Sequence, residues 1–373
     1  MKIFLCECKK MMSFRIFWII FVCLFAINGY VQIDRINDRY YTPESYRSFF
    51  SETKDMSLEE IQDYTNEMLE RQNNGEYIEF PMMLVYDMSE LSKECENYPE
   101  YLNSIKEQTN NMSAVSIWGD SDTFSYRNIQ KTPSAYENLP AEPLPLAASF
   151  GLENTFTSPI TDFMGIFLVF LAVCGIILKD REHGITFLLS SMPKGRSSLI
   201  LSKVFAVSLF ASFVAVMLFA ENLVIGGALY GIGELQRPIQ SVFGFYQCNL
   251  AVSVGEFLLL FFILKIASYL LFAMIFSLIC TVSRNNLMIY GISGAVCTIA
   301  FLCYRLIPQN SVFQLFHDWN PIKFTQTAEI LGTYQNVNLF GYPVSLKISM
   351  IIIIVITIVS VILCCIFAVE KLN

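Results

Sequence analysis

Six long apolar runs constrain this chain more than any other feature. They lie at Phe14–Val31, Ile160–Leu178, Val204–Leu229, Phe257–Val282, Leu287–Tyr304 and Ile348–Val369. Each is close to the ~20 residues that an α-helix needs to cross a bilayer core. The last run is rich in Ile and Val, but it is too long for one ordinary strand. In lipid its backbone groups must be satisfied internally, which decides for helix. The second run is the weakest, because Thr161 and Asp162 stand at its outer end. Only 16% of the residues are charged and the mean hydropathy is +0.47, whereas soluble chains carry roughly 25% charge. A soluble enzyme and a disordered chain are both excluded on that ground.

The charge is unevenly spread. Between Asp34 and Glu153 there are 9 basic and 23 acidic residues, a net of −14 in a chain whose total is −8. One acidic, polar region therefore interrupts an otherwise apolar chain, and its length suits one small domain. No basic face is visible, so no nucleic-acid partner is expected. Orientation follows from Lys and Arg in the short loops. Lys2, Lys9, Lys10 and Arg15 stand before or at the start of the first span. Lys179, Arg181, Lys194, Arg196 and Lys203 fill the loop after the second. Arg284 stands between the fourth and fifth, and Lys371 follows the sixth. With six spans all four segments fall on one side. That parity predicts a plasma-membrane protein with both termini cytoplasmic and the acidic region outside. The first run is expected to be an uncleaved anchor, because it is long for a signal core and no A-x-A site follows it.

The expected organisation is therefore an α-helical integral membrane protein, with six transmembrane helices and an α+β extracellular domain between the first and second. Residues 1–33 form the cytoplasmic N-terminus and first span, and 34–159 the extracellular domain. Residues 160–373 form a five-helix transmembrane region, with a cytoplasmic elbow at 179–203 and an outer loop at 307–347. Within the outer domain, Ser57-Leu58-Glu59-Glu60 reads as a capping box that starts a helix through Arg71, stopped by Asn73-Asn74-Gly75. Tyr98–Asn111 reads as a second helix. Tyr77–Val85 and Met112–Trp118 read as strands, and Thr132–Pro145, with four prolines, as an irregular linker. In the outer loop, short helices at the interface are expected, with Trp319 as an anchor.

Of eleven cysteines, seven lie in the spans, where thiols behave as small hydrophobes. Cys95 and Cys248 are on the outer face, and their pairing is left open. His183 and His317 are the only histidines, so neither a closed zinc site nor a His-based enzyme is expected. Neither metal nor cofactor is anticipated.

The most informative stretch follows the second span: Lys179-Asp180-Arg181-Glu182-His183-Gly184-Ile185-Thr186-Phe187-Leu188-Leu189-Ser190-Ser191-Met192-Pro193-Lys194-Gly195-Arg196. Ile185, Leu188 and Leu189 give one apolar face, and Pro193 and Gly195 break the helix. Such an elbow lies flat at the interface or in a partner's groove. This pattern, followed by Ser202-Lys203 and a long span, resembles permease subunits of type-2 ATP-binding-cassette exporters. The six spans, the outer domain between the first two, and the stretches Tyr334–Gly341 and around Tyr98, Tyr101, Ile105 and Ser116-Ile117 agree with that family in Gram-positive bacteria.

The resemblance implies that a separate cytoplasmic ATPase dimer holds the elbow and drives alternating access through two permease chains, as a homodimer or heterodimer. The coupling contact falls on Glu182, Gly184, Leu188, Leu189, Pro193 and Arg196. The chain itself lacks a G-x-x-x-x-G-K-[ST] phosphate cradle and is expected to hydrolyse no ATP alone. The exported substrate is not specified by the sequence. The alternative reading is a membrane-anchored sensor whose extracellular domain binds a ligand and signals through a partner.

Ionisable groups inside spans are functional candidates, because desolvation is costly. Glu221 and Asn222 lie toward the outer end of the third span, and Lys265 about two turns inside the fourth. One reading is a Glu221–Lys265 pair on a translocation route. The other is a lysine that snorkels to the headgroups and a glutamate already in water.

Overall fold

The computed structural model describes residues 2–37, 40–114, 123–179, 196–283, 285–308 and 313–370. Helix α1 (Lys2–Met12) is followed by α2 (Arg15–Asn37), the first span. A helical lobe comes next: α3 (Pro43–Glu52), α4 (Leu58–Asn73), α5 (Met82–Glu96), α6 (Tyr98–Ala114) and α7 (Phe124–Ala135). The short α8 (Phe150–Phe156) leads into α9 (Pro159–Val173), the second span, which ends in a π-helical turn at Cys174–Leu178. Helices α10 (Arg196–Tyr230), α11 (Val254–Val282) and α12 (Asn286–Leu306) are the next three spans. Three short helices follow, α13 (Gln314–Asp318), α14 (Pro321–Thr325) and α15 (Thr327–Gly332). Strands β1 (Asn336–Leu339) and β2 (Tyr342–Ser345) then precede α16 (Leu346–Glu370).

Six helices are long and apolar enough to cross a membrane: Arg15–Arg35, Pro159–Leu178, Leu199–Tyr230, Val254–Val282, Asn286–Leu306 and Leu346–Leu363. They coincide with the six apolar runs. The second span is the most enclosed, with 72% of its most apolar window buried, against 17% for the fifth. The second span therefore belongs to the bundle core, whereas the fifth presents most of its apolar surface outward.

The lobe builds its own core from Tyr46, Phe49, Ile61, Leu84, Met88 and Tyr98. That core continues into the bundle through aromatic contacts. Tyr46 stacks on Phe150 at 4.7 Å between ring centroids and meets Tyr230, at the end of α10, edge-on at 5.2 Å. The Ser149 amide donates to the Tyr46 hydroxyl at 2.9 Å. Burial pushes the Tyr46 hydroxyl up to about 12, so it stays protonated and neutral.

Sequence expectation and structure part company at particular residues. The Ser57 capping box is present, with Glu60 N–H donating to Ser57 Oγ at 3.3 Å and Ser57 N–H to Glu60 Oε2 at 2.7 Å. Gly75, at φ +80°, ends the helix, with the Glu76 amide reaching back to the Arg71 carbonyl at 2.9 Å. The strand expected at Tyr77–Val85 is instead irregular up to Pro81 and helical from Met82. Leu84, Met88, Leu91 and Cys95 recur at helical spacing and are all buried, which outweighs the local alternation. Of the strand expected at Met112–Trp118, the first three residues end α6, and 115–118 lie outside the described residues.

The linker expected at Thr132–Pro145 begins inside α7, which runs through Pro133 and ends two residues later at Ala135. Among the described residues the two strands lie not in the lobe but before α16, as an antiparallel hairpin pairing Asn336 with Ser345 and Leu339 with Tyr342. Its turn is Phe340-Gly341, both at positive φ, and the Gly341 amide donates to Asn338 Oδ1 at 2.8 Å. Helix α7 holds this hairpin. The Lys131 ammonium donates to the Pro343 carbonyl at 3.0 Å, and the Arg127 guanidinium covers the Tyr342 ring at 4.3 Å. Trp319 is 37% exposed, beside the short helices that follow α12.

Ser57→Ala is expected to destabilise the first turn of α4 by about 1 kcal/mol, read as faster hydrogen exchange at the amides of residues 58–61. The two bonds from Ser57 hold the Glu60 carboxyl below its ordinary range. Its stabilising contribution is therefore complete above the unfolded-state value and is lost as pH falls through the folded value. Protection of this turn should fade on acidification in the wild type, and much less in Glu60→Gln.

Candidate functional site

The spans are apolar almost throughout, so the polar groups they enclose stand out. A connected set of them joins four spans at the lobe end of the bundle. Asn28 comes from α2, Thr161 and Asp162 from the first turn of α9, Glu221 and Asn222 from α10, and Lys265 and Tyr269 from α11.

At the centre is an ion pair. The Lys265 ammonium donates to both Asp162 oxygens, at 2.7 and 2.9 Å, and also to the Thr325 carbonyl at the end of α14. Lys265 is 1% exposed and Asp162 4%. Phe219 and Phe261 present their ring faces to the ammonium, at 4.4 and 5.5 Å. The Tyr269 hydroxyl lies 3.4 Å from Asp162 Oδ1. Gly165, one turn beyond Asp162, makes that approach possible, because a Cβ there would fall 2.1 Å from the Tyr269 hydroxyl. Two charges leave water here at a large cost, and close pairing with further hydrogen bonds and cation–π contacts is what offsets it.

A cluster of amides, a hydroxyl and the Glu221 carboxylate adjoins the pair. The Asn28 amide donates to Asn222 Oδ1 at 2.7 Å and to Glu221 Oε2 at 2.9 Å. Thr161 Oγ1 donates to Asn28 Oδ1 at 2.6 Å and accepts from Asn222 Nδ2 at 3.0 Å. The Gln32 amide reaches Thr161 and Ser158, at 3.3 Å each. First, second and third spans are thus tied by side-chain bonds that apolar packing in lipid would not supply.

The structure corrects the proposed Glu221–Lys265 pair. Lys265 is held by Asp162, and Glu221 by Asn28. Which carboxylate meets the lysine depends on helix rotation and neighbour order, and α9 turns Asp162 into the bundle while Glu221 stays partly exposed. The snorkelling alternative fails for the same lysine, since its ammonium is enclosed. In the sequence Asp162 stands out only as a weakness of the second span. A carboxylate one turn inside that helix, near the depth of Lys265, was the available signal. Asn28 and Thr161 carried no comparable mark.

Of the coupling residues, Glu182, Gly184, Leu188, Leu189 and Pro193 lie outside the described residues. Arg196 is the first residue of α10. The π-helical turn Cys174–Leu178 stands immediately before the elbow, and Lys179 Nζ lies 5.2 Å from the centroid of the Phe14 ring, between α1 and α2. A π-turn inside an otherwise regular helix marks a local change of pitch.

Cys95 and Cys248 are buried free thiols, and Cys248 Sγ lies 3.4 Å from the Leu331 carbonyl. Among the described residues no group of three or more His, Cys, Asp or Glu is placed to hold a metal ion. Comparison with known proteins gives one result for nearly the whole chain: the family described as ABC-2 family transporter protein matches residues 1–371. No match to a curated protein or to a solved structure was found.

Proposed function

The chain belongs to the ABC-2 transporter family, a membrane permease subunit rather than a catalytic one, and from that premise we propose that it exports a substrate with energy from a separate ATPase. The observation that carries this reading is the family match over residues 1–371, on a chain with six membrane-length helices. Members of the family normally work with an ABC ATPase. In this reading two permease chains face one ATPase dimer, and both chain ends and the elbow at 179–203 lie in the cytoplasm of a bacterial cell. The Lys and Arg distribution supports that orientation. The lobe and the hairpin then face outward.

The ATPase groove receives Glu182, Gly184, Leu188, Leu189, Pro193 and Arg196. Gly184 permits close backbone approach, the two leucines fill an apolar slot, and Glu182 and Arg196 form charge-assisted bonds. Motion of the elbow passes to the second span through the π-turn and to α1 and α2 through the Lys179–Phe14 contact. Glu221, the partly exposed acid of the outer network, is the residue placed nearest a passing substrate. Asn222 and Lys265, both buried, act as tethers that hold the helices bordering that route.

The test is co-purification with a candidate ABC ATPase from the same organism, co-expressed with this chain. Exchanging Glu182→Ala and Arg196→Ala together should reduce recovery of the ATPase at least about tenfold, as expected for loss of two charge-assisted bonds. Undiminished recovery overturns the interface. Labelling of a cysteine introduced at Phe187 from outside intact cells overturns the orientation.

A further inference from the structure

Arg237 lies in the connection between the third and fourth spans, beneath the lobe, and is 5% exposed. Its Nη2 donates to the Ala148 carbonyl at 2.7 Å and to the Ile232 carbonyl at 3.3 Å. Its Nε and Nη1 are buried and have no hydrogen-bond partner. Among the described residues it forms no ion pair. The groups that face it electrostatically are Tyr46, Cys95 and Glu234. Burial pushes the Tyr46 hydroxyl and the Cys95 thiol each up to about 12, so both are neutral. Glu234 is exposed. A buried guanidinium with two donors unpaired and no enclosed counter-charge is a costly arrangement.

The same arginine lines a cavity of about 440 Å³ between lobe and bundle. Phe50, Leu58 and Leu146 form apolar walls, and Met56, 36% exposed, stands at its edge. Gly233, also in the lining, has φ +60°, and a Cβ there would crowd Arg237 Cζ and Nη1 at 3.0 and 3.1 Å. A side chain at that position would therefore press on the guanidinium, and on the Ala148 carbonyl that accepts from it, at 2.7 Å. Small-molecule sites have this character, with apolar walls and few polar groups in roughly 300–1,000 Å³.

We propose that this cavity binds a small amphipathic carboxylate, its acid group on the Arg237 guanidinium and its apolar body against Phe50, Leu58 and Leu146. Charge selects the acid. The lobe region carries −14 and Glu234 stands in the lining, so a dianionic phosphate is repelled more than a singly charged carboxylate. Burial of the apolar body then offsets what repulsion remains. Lys54, also in the lining, adds a second cation. The site lies in the permease alone and does not rest on the ATPase assignment.

The test is calorimetric titration of the full chain in nanodiscs with four probes: octanoate, trileucine with a free C-terminus, trileucine amide and inorganic phosphate. Saturable binding of octanoate or of free trileucine is expected, with the amide at least about tenfold weaker than the free acid, the loss of one charge-assisted bond. Binding of octanoate alone marks an acyl ligand, and binding of trileucine alone marks a peptide end; either supports the site. Arg237→Gln should remove binding. Should that variant not fold, Met56→Trp, which narrows the mouth without touching the arginine, should still reduce binding by a similar factor. Equal binding of acid and amide, phosphate binding as tightly as the carboxylates, no saturable binding of either acid, or full binding by Met56→Trp each overturn the proposal.

Discussion

Lys265→Met is expected to be among the most damaging single substitutions in the bundle, at a cost of about 3–5 kcal/mol. The reason lies in what remains. Asp162 would keep its burial and lose both ammonium bonds, and the Thr325 carbonyl would lose a donor. Asp162→Asn should be damaging for the mirror reason, leaving a buried ammonium with only carbonyl and ring partners. The pair Asp162→Leu with Lys265→Met removes both charges and should recover most of the loss, because two apolar groups of similar size need no solvation. Thermal unfolding of the purified chain, run as a double-mutant cycle, separates the pair from its surroundings. Glu221→Gln should change the midpoint little, since the Asn28 amide can donate to an amide oxygen as it does to the carboxylate. A Lys265→Met chain that melts with the wild type would show that the ion pair does not hold these helices. A double variant that is stable yet transports nothing would assign the charges to transport instead.

The extent to which this molecule is legible in its sequence differs by kind of information. Hydropathy places all six spans to within a few residues, because crossing a bilayer is a property of one segment at a time. The Ser57 box is equally local and is found where expected. A second box, Ser253 with Glu256 at the start of α11, has the same signature and opens the fourth span. The Asp162–Lys265 pair is different. Its partners are 103 positions apart, on helices whose rotation is set by the packing of the whole bundle. Depth along each span could be read from the sequence, but facing could not, so the partly exposed Glu221 was the nearer guess. Helix α7 was obscured by Pro133 and its polar composition. The strand expected at Tyr77–Val85 is a helix from Met82 because a short apolar run such as Met82–Val85 does not distinguish a strand from the first turn of a helix.

Gly226→Leu is expected to prevent stable assembly of the chain, a larger effect than the roughly 1–3 kcal/mol of ordinary core overpacking. Gly226 in α10 and Gly151 in α8 bring two backbones together without side chains between them. A Cβ on Gly226 would fall 2.4 Å from the Gly151 carbonyl oxygen, and one on Gly151 only 2.6 Å from the Gly226 oxygen. Backbone atoms cannot swing aside as a side chain can, so the two helices would have to separate. Separation would reach further. It would draw Phe150 off Tyr46 and Tyr230, the stack that fastens lobe to bundle, and move Ala148, whose carbonyl holds Arg237. The neighbouring Gly227 is the control, because a Cβ there meets only the tip of Ile232, at 3.2 Å, and Gly227→Ala should leave the fold intact. Size-exclusion profile and melting temperature of the purified variants read the difference. If Gly226→Leu and Gly227→Ala behave alike, close backbone contact is not what docks the lobe. If they diverge as expected, the lobe and the third span move as one body, and any substrate path beside Glu221 must open on another side of that helix.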